Sequence, residues 1–201
     1  MAYLRQEGEN NCGAFVIAYY LWLKQDGVDF AQTPLDEWTA KDHGGDPDSE
    51  EYGLAKDYIK EIYADIQFGD AYGDLKDYCN PFKMIKYLNS QGVRTQAFMK
   101  KDIEEGEIKG IFDLITQIDK KLIPDEIMYA DDLLETLKAP NDYKACLEIV
   151  LYTDIDRHYL LTILGKDGKL YAINPWDAVP QERSKLTNEE FIPTNCGILL
   201  S

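Results

Sequence analysis

"QEGENNCGAFVIAYYLWL", residues 6–23, passes from a polar loop into an almost unbroken apolar run, and Cys12 stands on the boundary. From Cys12 to Lys24 the residues Phe15, Val16, Ile17, Leu21, Trp22 and Leu23 spread around the whole helical wheel, the pattern of a helix inside a fold rather than on its surface. "QDG" supplies its stop at Gly27. A helix N-terminus carries unpaired N–H groups and the positive end of the helix dipole, so a thiol on the first turn is expected to lose its proton readily.

Working outward, residues 29–48 are rich in Asp, Gly and Pro and read as a long surface loop, with Asp48 as cap for a helix over 49–66. "NPFKMIKYLNSQG" has Asn80 as cap, Pro81 at the first helical position and Gly92 past the end, the signature of a short helix. "VRTQAFMK" alternates like a strand, and residues 101–138 are acidic and helical in pattern, broken near Pro124. From 145 onward "ACLEIVLYT", "HYLLTILG" and "KLYAIN" are short β-rich runs, the last two joined through "KDG", and "CGILLS" adds a final strand. The expected fold class is α+β in one domain over 1–201: a helical part over about 1–140, with its buried N-terminal helix packed on an antiparallel sheet from about 141–201.

Lys and Arg number 21 against 37 Asp and Glu, a formal charge of −16, and the basic residues are interspersed with acids, which argues against nucleic acid, whose phosphates require a Lys/Arg patch. No segment reaches the apolar length of a membrane span, and "MAYLRQEG" lacks a signal-peptide pattern. The expected location is cytoplasmic, or outside the cell by a route independent of a signal peptide. Cys12, Cys79, Cys146 and Cys196 are scattered, without a CxxC pair or a neighbouring His cluster, so reduced thiols are expected and no metal site.

A nucleophilic thiol needs a proton partner, and the chain has two histidines. His43 lies in the polar loop "KDHGGDPD", whereas His158 opens the strand "HYLLTILG". The returning strand ends at "INPWDA", so a hairpin brings Asn174 or Asp177 toward His158, where either can orient the ring. A two-residue turn at Asp167-Gly168 would place His158 opposite Asp177 and Asn174 opposite Leu161, on the other face. A bulge or longer loop shifts that register by one.

The order Gln, Cys, helix, then a distant His and an Asn at the end of the next strand resembles the papain-like cysteine peptidases. Gln6 lies six residues before Cys12, as that family's oxyanion-hole glutamine does, and Asn174 lies sixteen after His158, again the family spacing. "NPW" at 174–176 is similar to the family's Asn-Ser-Trp, in which the tryptophan shields the Asn–His contact. "CGAFV" lacks the family's second cysteine, and no pro-segment is expected before Gln6. The "NCG" and "INP" boxes look closer to the compact bacterial branch, such as the bacteriocin leader-processing peptidase domains of export ATPases, which carry Asp-Pro where this chain has Asn174-Pro175. The resemblance covers about 1–27 and 145–178, and places substrate specificity in 28–144.

The resemblance implies a papain-like domain that hydrolyses peptide bonds in a peptide or protein substrate through an acyl-enzyme, without cofactor, and leaves the oligomeric state open. Cys12 is the nucleophile, His158 the base, Asn174 the orienting residue with Asp177 as its alternative, Gln6 the oxyanion donor and Trp176 the shield. The same constellation serves deamidases, acyltransferases and isopeptidases, including bacterial effectors or toxins, and a catalytically silent binding module keeps the fold as well. Cys196 sits in a second "NCG", but six residues before it stands Glu190 rather than a glutamine, so it is expected to be a strand residue, and Cys79 and Cys146 to be structural.

Overall fold

Helix α1 (Cys12–Gln25) is buried on nearly all sides, with Val16, Ile17, Ala18, Tyr19 and Leu23 fully enclosed. Each buried Val, Ile or Leu among them contributes about 1.5–3 kcal/mol of hydrophobic stabilisation, which holds a helix with no polar face in place. The computed structural model describes residues 4–6, 10–30, 32–34, 48–101, 107–152, 156–186 and 191–201. His43, Glu190 and most of the loop expected over 29–48 lie outside the described residues.

Helix α2 (Glu50–Ile66) buries Ala55, Ile59, Ile62 and Ile66, spaced by four, three and four on one face. Its cap is Ser49, whose hydroxyl accepts the Tyr52 N–H at 3.1 Å, and not Asp48 as the sequence suggested. Helix α3 (Pro81–Ser90) starts as expected at Asn80, whose side chain accepts the N–H groups of Phe82 and Lys83. After strand β1 (Thr95–Lys100) come α4 (Glu107–Ile118), β2 (Ile127–Ala130) and α5 (Leu133–Lys138). The remaining chain forms β3 (Ala145–Tyr152), β4 (Asp156–Leu164), β5 (Leu170–Ile173), β6 (Pro180–Glu182) and β7 (Phe191–Leu200).

These seven strands make one mixed sheet in the order β2-β1-β7-β3-β4-β5-β6, and the fold is α+β. Two expectations are corrected. The sheet is not wholly antiparallel, because β1 and β2 run parallel, and it is not confined to residues after 141, because both of those strands come from the helical part. β2 was hidden inside an acidic stretch that reads as helix, and it holds as an edge strand paired only with β1.

The front face of the sheet, with Leu147, Ile149, Tyr159, Leu161, Ile163 and Ile198, packs on α1 in a core that runs from Leu4 to Leu200. On the back face Leu133 and Leu137 of α5 cover Cys146 and Leu199, while Val150, Leu160, Ala172 and Phe191 form a second patch. Between them Arg183 makes a bidentate contact to Glu148, with Nε to Oε2 at 2.9 Å and Nη2 to Oε1 at 2.7 Å, and the Thr162 hydroxyl donates to Glu148 Oε2 at 3.0 Å. No helix among the described residues is long and apolar enough to cross a membrane.

Candidate active site

Four segments meet at the head of β4. The first is the start of α1, where the Asn11 carbonyl accepts the Ala14 N–H at 2.9 Å and sets Cys12 on the opening turn. The second is residues 4–6: the Tyr19 hydroxyl of α1 donates to the Leu4 carbonyl at 2.5 Å, and the Gln6 N–H donates to the Pro175 carbonyl at 2.9 Å. Gln6 therefore lies against the residue that follows Asn174. The third and fourth are β4 itself, with Arg157, His158 and Tyr159, and the turn after β5, with Asn174, Trp176 and Asp177.

The β4–β5 hairpin settles which residue faces His158. Leu164 pairs with Leu170, and the loop between them closes through Gly165 N–H to Lys169 C=O at 2.8 Å and Gly168 N–H to Gly165 C=O at 2.9 Å. Three residues cross over, the last of them Gly168 at φ 77°, a conformation that favours glycine. The ladder is thus one residue out of step with a two-residue turn: Leu161 pairs with Ile173, and Asn174 shares a face with His158. His158 Nε2 lies 2.9 Å from Asn174 Oδ1. Asp177 does not touch the ring; its Oδ2 accepts from Asn174 Nδ2 at 3.5 Å.

The Asn174 amide has one workable orientation. Its Oδ1 also accepts the Trp176 backbone N–H at 3.1 Å, and an N–H can meet only an acceptor. The Asp177 carboxylate, an acceptor, faces the amide nitrogen. With oxygen toward the imidazole, Nε2 carries the proton and Nδ1 is the basic nitrogen. Trp176 stacks on the ring at 4.1 Å and 26°, and Phe191 closes the same side at 5.9 Å. Burial in this aromatic cage lowers the His158 pKa from 6.5 to about 4, with the Asn174 bond opposing the shift.

Cys12 approaches from the front face and is 3% exposed. The backbone N–H groups of Tyr159, Gly13 and Cys12 itself are directed at its sulfur, and Arg157 adds a favourable field. Desolvation outweighs all of these and pushes the thiol up to about 11. The expectation that a helix terminus makes this thiol acidic is therefore corrected for the free protein: the dipole term is worth about 0.3–2 kcal/mol, less than the cost of a buried thiolate. At rest the thiol and the imidazole are each neutral, and no hydrogen bond joins them: Cys12 meets β4 at the Tyr159 main chain, whereas the His158 ring is held by Asn174 and Trp176.

Beside Cys12 opens an apolar-walled cavity of about 50 Å³, lined by Phe68, Phe82, Ile111, Phe112 and Tyr159, with Arg157 also on its wall. Arg157 lies over the Tyr78 ring at 4.5 Å. Most of that wall comes from residues 68–115, in the part of the chain that the papain-like resemblance does not cover. Among the described residues no three His, Cys, Asp or Glu side chains converge to hold a metal ion.

Cys146 and Cys196 are strand residues of β3 and β7, both buried. Sequence reasoning missed Cys79, Arg157 and Tyr159 as neighbours of Cys12. Tyr159 contributes through its main chain, which carries no side-chain signal, while Cys79 reaches the site through the fold between α2 and α3. No family model matches the chain, and neither does any curated protein or solved structure.

Proposed function

We propose that the chain is a papain-like thiol hydrolase that cleaves peptide bonds through an acyl-enzyme on Cys12. The observation that carries the reading is the His158 Nε2–Asn174 Oδ1 bond at 2.9 Å, roofed by Trp176, at the strand head whose next amide, that of Tyr159, meets the Cys12 thiol. This bond leaves His158 Nδ1 to take the thiol proton as sulfur attacks the substrate carbonyl, and to deliver it to the leaving amine. The Cys12 N–H and the Gln6 side chain serve the oxyanion, each such donor typically contributing about 3–4 kcal/mol to the transition state. Water then releases the acyl group.

With thiol and imidazole both neutral at rest, the proton moves as substrate binds and the site's polarity changes, rather than from a preformed ion pair. That same neutrality favours a second reading, a catalytically silent binding module. Peptidyl epoxysuccinate or chloromethyl ketone separates the two. A hydrolase is labelled at Cys12, and His158→Ala suppresses the labelling. No labelling at Cys12 in the wild-type chain, under conditions where free cysteine reacts, sinks the hydrolase reading. Ammonia release from glutamine peptides, or acyl transfer to added amines, distinguishes a deamidase or acyltransferase from a peptidase.

A further inference from the structure

A second thiol lies against the first turn of α1. Cys79 Sγ donates to the Asn10 carbonyl at 3.4 Å, just before the nucleophile, and its Cβ and Sγ lie 2.8 and 2.9 Å from where a Cβ on Gly13 would stand, just after it. Only glycine at position 13 admits this approach. The Gly13 N–H is within reach of both the Cys12 and the Cys79 sulfurs. Both cysteines are reduced, and both line the same cavity. Cys196 also lines it, but its sulfur is turned to the Thr194 carbonyl at 3.6 Å within its own strand.

We propose that Cys79 is the resolving thiol of Cys12, and that a hydroperoxide entering the cavity converts the pair to a Cys12–Cys79 disulfide that withdraws the nucleophile reversibly. In the first step Cys12 Sγ attacks the peroxide, the O–O bond breaks, and the products are Cys12 sulfenic acid and water (or an alcohol). The sulfur is oxidised by two electrons and the peroxide reduced by two. Cys79 Sγ then attacks the Cys12 sulfur, the S–O bond breaks, and the hydroxyl leaves as water with the Cys79 proton. An external dithiol restores both thiols by exchange. Burial slows the first step but confines the sulfenic acid beside one partner, so condensation outruns further oxidation.

The inference rests on the reading of Cys12 as a reactive thiol, but its test follows sulfur chemistry alone and can be scored on a chain that hydrolyses nothing. The full chain is treated with excess hydrogen peroxide, blocked with a maleimide and digested without reductant. The expected product is a Cys12-peptide joined to a Cys79-peptide, two hydrogens lighter than their sum, which disappears with dithiothreitol as Cys12 labelling returns. In Cys79→Ser, Cys12 should pass to sulfinic acid, and labelling recoverable by dithiothreitol should fall about tenfold or more. Cys12 found as sulfinic acid in the wild-type chain beside a reduced Cys79 overturns the proposal. So does a Cys12–Cys196 link, or a Cys12 that stays unmodified throughout. If Cys79→Ser does not fold by circular dichroism, the wild-type cross-link decides alone.

Discussion

Acid should act on this fold through His158, and the size of the effect follows from its cage. The imidazole is 2% exposed, and burial holds its pKa near 4, against 6.5 in an exposed chain. Between those values the unfolded chain binds a proton that the folded chain refuses, so stability present above pH 6.5 is lost as the pH falls toward 4. At about 1.4 kcal/mol per pH unit, the gap corresponds to roughly 3 kcal/mol, a large fraction of the ~5–15 kcal/mol that holds a typical domain together. The test is urea unfolding of the wild-type chain and of His158→Gln, each at about pH 7 and about pH 4. Comparing each protein with itself cancels any stability lost through the substitution and any carboxylate titration common to both. The wild-type chain should lose about 3 kcal/mol more than the variant. Equal losses, or a His158 ring that titrates near 6.5 by NMR in the folded chain, would refute the argument from burial.

Alkylation of Cys12 by iodoacetamide in the free protein should keep rising with pH toward about 11 instead of reaching a plateau below the range of an ordinary thiol; a plateau in the acid range would mean that the helix end overcomes desolvation after all. If the hydrolase reading holds, Asn174→Ala should reduce kcat by about one to several orders of magnitude, at about 1.4 kcal/mol per factor of ten, while Asp177→Ala, which loses only a 3.5 Å contact at an exposed position, should change it little. The reverse order would show that the carboxylate rather than the amide orients the ring. Arg183→Met should cost about 3–5 kcal/mol in chemical denaturation because it strands the buried Glu148 carboxylate, and adding Glu148→Leu should recover much of that; a single variant as stable as the wild-type chain would remove the buried pair as an element of the back face.

The placement of several candidate residues was legible because they carry local signatures. Cys12 announces itself at a change from polar to apolar sequence, and His158 and Asn174 open and close a hairpin. Their pairing hung on one residue of loop length, which the dipeptide Asp167-Gly168 leaves ambiguous: Gly168 serves equally as the second residue of a two-residue turn or the left-handed residue of a longer one. What stayed hidden was everything contributed by residues distant in sequence. Glu148 reads as a lone charge in an apolar strand until Arg183 is found opposite it. Cys79 reads as a buried residue before a cap until α2 and α3 fold it onto α1. Protonation was misjudged for a related reason, since a helix terminus is visible in sequence whereas the depth at which it is buried is a property of the whole core.

Strand β7 stands between β1 and β3, although it follows every other strand in the chain. Without residues 191–200 the ladder pairings of this sheet leave β1–β2 and β3–β6 unjoined, since β1 and β3 each pair with β7 and not with one another. Phe191, which closes the aromatic cage over His158, arrives on the same strand. Ribosomal synthesis therefore imposes its own timing on this protein: neither the joined sheet nor the cage around His158 can be complete until the strand that bridges the two halves has emerged.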